Sequence, residues 1–205
     1  GYIRKDGTAA IKPEYESAAP FRDGLAAVSY QDRYGFIDKS GKIIVDLKYD
    51  QAGNYSEGLA KFGVRDPAKK ATGFYGGGLD KLVFSGQWGY IDKAGNIVIA
   101  AQFEEAGDFA AGLAAVKKGS LWGFIDKAGK LVIEPRFDAA DPFSEGLAAV
   151  RKGEKWGYVD KTGRIAINLQ FDDAFGFSNG LAQVWLGEKI AYVLPTGKYF
   201  WGPSK

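Results

Sequence analysis

The sequence predicts an all-β fold made of repeats. It holds five 34-residue units of three short strands, each a hairpin or meander, and a partial sixth. The array is expected to stack as an open solenoid or superhelix, with a small propeller-like closed ring as the alternative. Three observations predict this. The ten residues "WGYVDKTGRI" at 156–165 recur as "WGFIDKAGKL" at 122–131 and "WGYIDKAGNI" at 88–97. Gly is abundant, at 29 residues, beside many aromatic and β-branched residues, which is the composition of short strands joined by tight turns. No window sustains an apolar period near 3.6 residues, so almost no helix is expected.

The Gly after the aromatic marks the period: Gly1, Gly35, Gly89, Gly123, Gly157, then Ala191 in a decayed copy. The intervals are 34, 54, 34, 34 and 34, so the second unit carries a 20-residue insertion. The chain then reads as one domain, 1–205, with the insertion inside 64–87 and a partial C-terminal repeat at 191–205.

Each element follows in order. "WGFID" at 122–126 is a strand and "DKAG" its hairpin loop. The loop fits a type I turn closed by a G1 bulge at Gly129, with Gly7, Gly41, Gly95, Gly163 and Gly197 in the same slot. "KLVI" is the next strand. Positions 12–24 form a return loop with inward aromatics at position 15 (Tyr15, Tyr49, Phe103, Phe137, Phe171) and position 21 (Phe21, Tyr55, Phe109, Phe143, Phe177). Position 18 is always Ala, and Gly-Leu-Ala always fills 24–26, opening the third strand, "GLAAV". Positions 14 and 17 vary freely, from Glu14 to Arg136 and from Ser17 to Asp173, and are expected to need only water. One unit cannot bury its own aromatics, so neighbours must cover them.

Composition excludes several functions. The net charge is only +2, which gives no broad attraction to nucleic acid or membrane surfaces. Without Cys there is no disulfide or thiolate chemistry, and without His the commonest general base and metal ligand are missing. No metal site, cofactor or catalytic residue is expected, and the chain is read as not an enzyme. No apolar run approaches the roughly 18 residues that span a bilayer. Without Met at position 1, the chain reads as a mature or trimmed product.

Trp88-Gly89, Trp122-Gly123 and Trp156-Gly157, each followed by an aromatic, Ile or Val, Asp and Lys, resemble the bacterial WG-repeat family, also called KWG repeats. "EGLAAV" at 145–150 belongs to the same pattern. The resemblance covers nearly the whole chain outside the insertion. It departs at Tyr34, which replaces the Trp, and at Ile190-Ala191. It implies a binding or scaffold role, an exported or cell-surface setting (a cytoplasmic one being the alternative), and no catalytic residues.

Candidate groups follow. Trp88, Trp122 and Trp156 recur beside a fixed Gly, which favours packing anchors over a sugar-stacking ladder. The Asp-Lys pairs at 38–39, 92–93, 126–127 and 160–161 read as hairpin tips in which Asp accepts turn N–H groups. Lys117, Lys118, Arg151, Lys152 and Lys155 sit on two turns that stacking would bring together as an anion site. The acid pairs Glu104-Glu105 and Asp172-Asp173 point apart on extended backbone, so glycosidase chemistry is not expected. The insertion carries Arg65, Lys69, Lys70, Phe74 and Tyr75, a partner anchor in an aperiodic segment, and its "KLVFSG" is read as an added strand. The expected partner is a protein or a cell-envelope polymer. Glycan binding through exposed aromatics, or end-to-end assembly through Tyr199, Phe200 and Trp201, are the alternatives.

Overall fold

The structure is a computed structural model and describes residues 1–65 and 84–202. Its regular structure there is strand throughout, and the chain divides into two compact units, Gly1–Glu104 and Glu105–Lys205.

The first unit opens with a hairpin of β1 (Tyr2–Ile3) and β2 (Ala9–Ile11). An antiparallel meander follows: β3 (Ser17–Ala18), β4 (Leu25–Tyr30), β5 (Arg33–Asp38) and β6 (Ile43–Tyr49). A second meander holds β7 (Gln51–Ser56), β8 (Leu59–Arg65), β9 (Gly86–Ile91) and β10 (Ile97–Phe103). The second unit has three such sheets. They are β11 (Glu105–Ala106) to β14 (Leu131–Phe137) through β12 (Ala114–Lys118) and β13 (Leu121–Ile125); β15 (Ala139–Ala140) to β18 (Ile165–Phe171) through β16 (Leu147–Lys152) and β17 (Lys155–Asp160); and β19 (Asp173–Ala174) to β22 (Tyr199–Trp201) through β20 (Ala182–Leu186) and β21 (Lys189–Val193).

The sheets have four strands where the sequence predicts three. The extra strand comes from the return loop: it is two residues at repeat positions 17 and 18 in β3, β11, β15 and β19, and extends to six in β7. Ala18 pairs with Val28 and Ala140 with Val150, and the next amide extends the ladder: Ala19 donates to the Ala27 carbonyl and Asp141 to the Ala149 carbonyl, each at 2.9 Å. Two residues are too few to show the alternation that marks a strand. Each four-stranded sheet also crosses the sequence repeat, joining the end of one 34-residue unit to the start of the next.

The recurrent residues build this arrangement. The Gly after each aromatic lets two strands approach closely. A Cβ on Gly35 or Gly89 would sit 2.5 Å from the carbonyl oxygen of Val45 or Ile99, and one on Gly157 2.6 Å from that of Ile167. The G1 bulges are present as the sequence predicts, with Gly41 at φ 90° and Gly163 at φ 85°. Gly-Leu at 24–25 marks a turn the sequence reading missed. Asp23 and Gly24 both have positive φ, as do Glu145 and Gly146, between the bridged pairs Arg22–Leu25 and Ser144–Leu147. Two central residues at positive φ make a type I′ turn, which favours Gly.

Aromatics join sheet to sheet inside each unit. The position-2 ring meets the position-21 ring: Phe36 with Tyr55 at 4.9 Å, Phe124 with Phe143 at 4.8 Å, Tyr158 with Phe177 at 4.9 Å. These rings are buried, and edge-on or tilted contacts at this spacing add about 1 kcal/mol each beyond burial. A polar latch accompanies them. The Asp23 carboxylate accepts the Gly58 N–H at 2.8 Å, and Glu145 accepts those of Asn179 and Gly180 at 2.8 and 2.9 Å.

Candidate functional site

The tip Asp residues are committed to their turns. Asp160 Oδ1 accepts the Thr162 and Arg164 N–H groups at 2.9 and 3.1 Å and the Thr162 hydroxyl at 2.6 Å. Asp38 holds Ser40 and Lys42 in the same way. The Thr162 and Ser40 hydroxyls, then the turn amides, keep both carboxyls below the usual carboxylate range. Position 16 carries an acid in all five repeats (Glu16, Asp50, Glu104, Asp138, Asp172), and several of these are structural too. Asp138 accepts the Gly153 N–H at 2.6 Å and Asp172 the Gly187 N–H at 2.5 Å, capping the hairpin above.

Trp88, Trp122 and Trp156 are half-buried. Trp88 meets the Phe84 ring edge-on at 5.1 Å with Lys61 over its face at 5.7 Å, and Arg151 lies 6.0 Å over Trp156. Trp122 and Trp156 pack against the buried clusters of their sheets.

The predicted basic group is divided among local partners. Lys117 pairs with Glu105 at 2.7 Å and Lys155 with Asp172 at 2.5 Å. Arg151 turns onto Trp156, Lys118 ends β12 in the open, and Lys152 ends β16. In the insertion, Arg65 donates its N–H to Asp50, whose carboxylate also takes Arg33 at 2.9 Å. Lys69, Lys70, Phe74 and Tyr75 lie outside the described residues. Of "KLVFSG", the first three residues also lie outside, Phe84 and Ser85 are irregular, and Gly86 opens β9. Arg65 faces Gly86 across the ladder, so the insertion leaves and re-enters the sheet at one hairpin tip.

Lys152 instead joins Arg164, which the sequence did not single out, and Arg136, which it read as needing only water. With Arg136 and Arg164 it lines a cleft of about 550 Å³, beside Thr162, Ile165 and Leu169. Arg136 is therefore not a water-only position: its guanidinium donates to the Gly163 carbonyl of the next repeat and lies over Phe137 at 5.0 Å. Position 17 is corrected likewise, since it pairs across the strand with position 29, as Ser17 with Ser29 at 2.6 Å and Glu105 with Lys117. A second hollow, of about 370 Å³, is lined by Leu181, Tyr192, Phe200 and Trp201. Trp201 is 61% and Phe200 65% exposed, so these aromatics face water. Among the described residues, no helix is long and apolar enough to cross a membrane, and no three potential ligands group as a metal site.

The WG containing repeat profile matches five stretches, 1–33, 34–65, 88–122, 122–156 and 156–189. The chain belongs to the WG-repeat family. Its WG repeats are the Trp-Gly strands and bulged hairpins described above. No curated protein matches the chain significantly. Among solved structures, one titled as the eukaryotic initiation factor aligns with a TM-score of 0.55 at 16% identity, over 93% of this chain. The WG-repeat chain spans 55% of that protein's length, and at this identity the likeness concerns the fold alone. A protein of unknown function from Bacteroides caccae aligns over 94% of this chain and 82% of its own, at 15% identity and a TM-score of 0.39. AztD from Citrobacter koseri aligns over 91% of this chain and 59% of its own, at 11% identity and a TM-score of 0.46.

Proposed function

We propose that this WG-repeat chain is a non-catalytic scaffold that binds a protein or cell-envelope partner through its aperiodic surface residues. One observation carries the reading: the recurrent residues are used up in structure. The tip Asp and position-16 acids hold turn amides, the Gly residues permit close strands, and the Trp residues pack in the sheets. What remains exposed and chemically distinct is aperiodic, chiefly the cleft at Arg136, Lys152 and Arg164. Non-catalytic action is supported by the absence of His and Cys and by the structural employment of the acid pairs. An exported or surface setting is part of the proposal.

The test is co-sedimentation of the purified chain with isolated cell-wall and membrane fractions, run beside a hydrolase panel. Retention without turnover supports the scaffold. Reproducible turnover, lost in a single-residue variant that folds normally, overturns it.

A second reading is a carbohydrate-binding module. The hollow of Tyr192, Phe200 and Trp201 favours it, because flat exposed aromatics are suited to sugar faces. Titration with soluble glycans, followed by tryptophan fluorescence and repeated with Trp201→Ala, decides it. A saturable change absent from the variant supports the reading; no change with any glycan refutes it.

A further inference from the structure

The full cationic set occurs at one repeat boundary only. The polar residues of the cleft occupy positions 14 and 30 of one repeat and positions 6 and 8 of the next: Arg136, Lys152, Thr162 and Arg164. The first repeat has Glu14, Tyr30, Ser40 and Lys42 at these positions, and the second has Lys48, Val64, Ala94 and Asn96. The third has Gln102, Lys118, Ala128 and Lys130, and the fifth Gln170, Leu186, Thr196 and Lys198. The fold needs none of these cations, since the other repeats do without the set.

We propose that the cleft binds a dianionic phosphate monoester, with the organic body of the ester resting on Ile165 and Leu169. This names the ligand chemistry of the surface assigned above and rests on that reading. Charge is the first argument. Three cations and no carboxylate are among the residues that line the cleft, and the neighbouring Asp160 is turned to its own loop. A dianion offsets more of this uncompensated positive charge than a monoanion does. Placement is the second argument. Arg136 is fixed before any ligand arrives, by its bond to the Gly163 carbonyl and its contact with Phe137. A guanidinium held in this way loses little freedom on binding an oxyanion. Size is the third: about 550 Å³ falls within the range of small-ligand sites. The turn amides and the Thr162 hydroxyl are spent on Asp160, so the anion is held by Arg136, Lys152 and Arg164 side chains rather than by backbone. Glu134 and Glu154 are near in sequence, but neither is among the lining residues.

The test is an NMR titration of the full, isotope-labelled chain with phenyl phosphate, benzoate and a phosphoserine peptide. Phenyl phosphate should give saturable shifts at Thr162, Gly163, Arg164 and Ile165. Lys152→Gln and Arg164→Gln should each weaken binding about tenfold, the loss expected of one charge-assisted contact. Both residues are exposed, so the variants should fold, which their unchanged spectra elsewhere would verify. Benzoate, with one charge, should bind at least about fivefold more weakly. Binding of the ester should fall as pH drops below about 6, where it becomes a monoanion. Binding of the phosphoserine peptide at the same residues, as tight as phenyl phosphate or tighter, supports an ester carried on a polymer. Binding of phenyl phosphate alone supports a free small molecule. No saturable shift with either ester, equal binding by benzoate, or unchanged affinity in both Gln variants overturns the proposal. Retention on envelope fractions that survives such a result leaves the scaffold reading standing, so the two failures are distinguishable.

Discussion

Gly157→Ala tests whether the second letter of the WG motif is there for strand approach. The added Cβ would lie 2.6 Å from the Ile167 carbonyl oxygen, 2.7 Å from that of Asn168 and 2.8 Å from the Asn168 carbonyl carbon. All three are backbone atoms of β18, so no side-chain rotation relieves the contact. Overpacking of this kind costs about 1–3 kcal/mol, and rigid backbone places it near about 3. For a unit of this size, about 4 °C is lost per kcal/mol, giving a fall in Tm of about 12 °C. Gly146→Ala is the control. Its Cβ would meet nothing within 4 Å, and only the left-handed backbone at φ 88° is strained, at about 1 kcal/mol or about 4 °C. Calorimetry of both variants, with amide exchange across β18, gives the answer. Equal losses in the two variants, or intact protection of β18 in Gly157→Ala, would refute the reasoning. The chain holds a natural version of the substitution, since Ala191 fills this slot in the last sheet.

Three further outcomes are expected. Glu145→Ala removes the acceptor of two amides in the next turn and should cost about 1 kcal/mol, read by urea unfolding, whereas Glu145→Gln should cost less. Asp38, Asp92 and Asp160 have carboxyls lowered by hydrogen bonds from the Ser40, Asn96 and Thr162 side chains first and turn amides after; their stabilisation is present above the ordinary Asp range and is lost as pH falls through the lowered values, so Tm should drop on acidification below about 4 and drop less in Asp160→Asn. Asp141 runs the other way: burial first, then Asp173, raises its carboxyl, so the fold favours the protonated form and loses that advantage as pH rises through the raised value, and Asp141→Asn should raise Tm at pH about 7 but change it little at pH about 3.

Much of this fold was legible because its signals repeat. The 34-residue period, the bulged hairpin closed by Gly41 or Gly163, and the packing role of the aromatics all follow from residues that recur in register. The fourth strand was not legible, because Ser17-Ala18 and Ala139-Ala140 are short, small and bounded by loop-like sequence. The type I′ turns were hidden in the same loop, although the Asp-Gly at 23–24 and Asn-Gly at 179–180 carry the usual signal for them. The constant acid at position 16 was also visible, but its role depends on a turn amide 15 residues away, as Asp138 and Gly153 show. The basic cleft was missed for a related reason. Arg136, Lys152 and Arg164 belong to three different repeat positions, and only the crossing of each sheet over the repeat boundary brings them to one place.

The most direct test of the central claim, that each sheet is assembled across the repeat boundary with its fourth strand from the return loop, is amide hydrogen exchange at position 19. Ala19, Gly107, Asp141 and Phe175 donate to the carbonyls of Ala27, Ala115, Ala149 and Gln183 at 2.8–3.0 Å. Their amides should exchange as slowly as those of the neighbouring β4, β12, β16 and β20. Exchange at the rate of open loop residues at all four positions would contradict the account and return each unit to three strands.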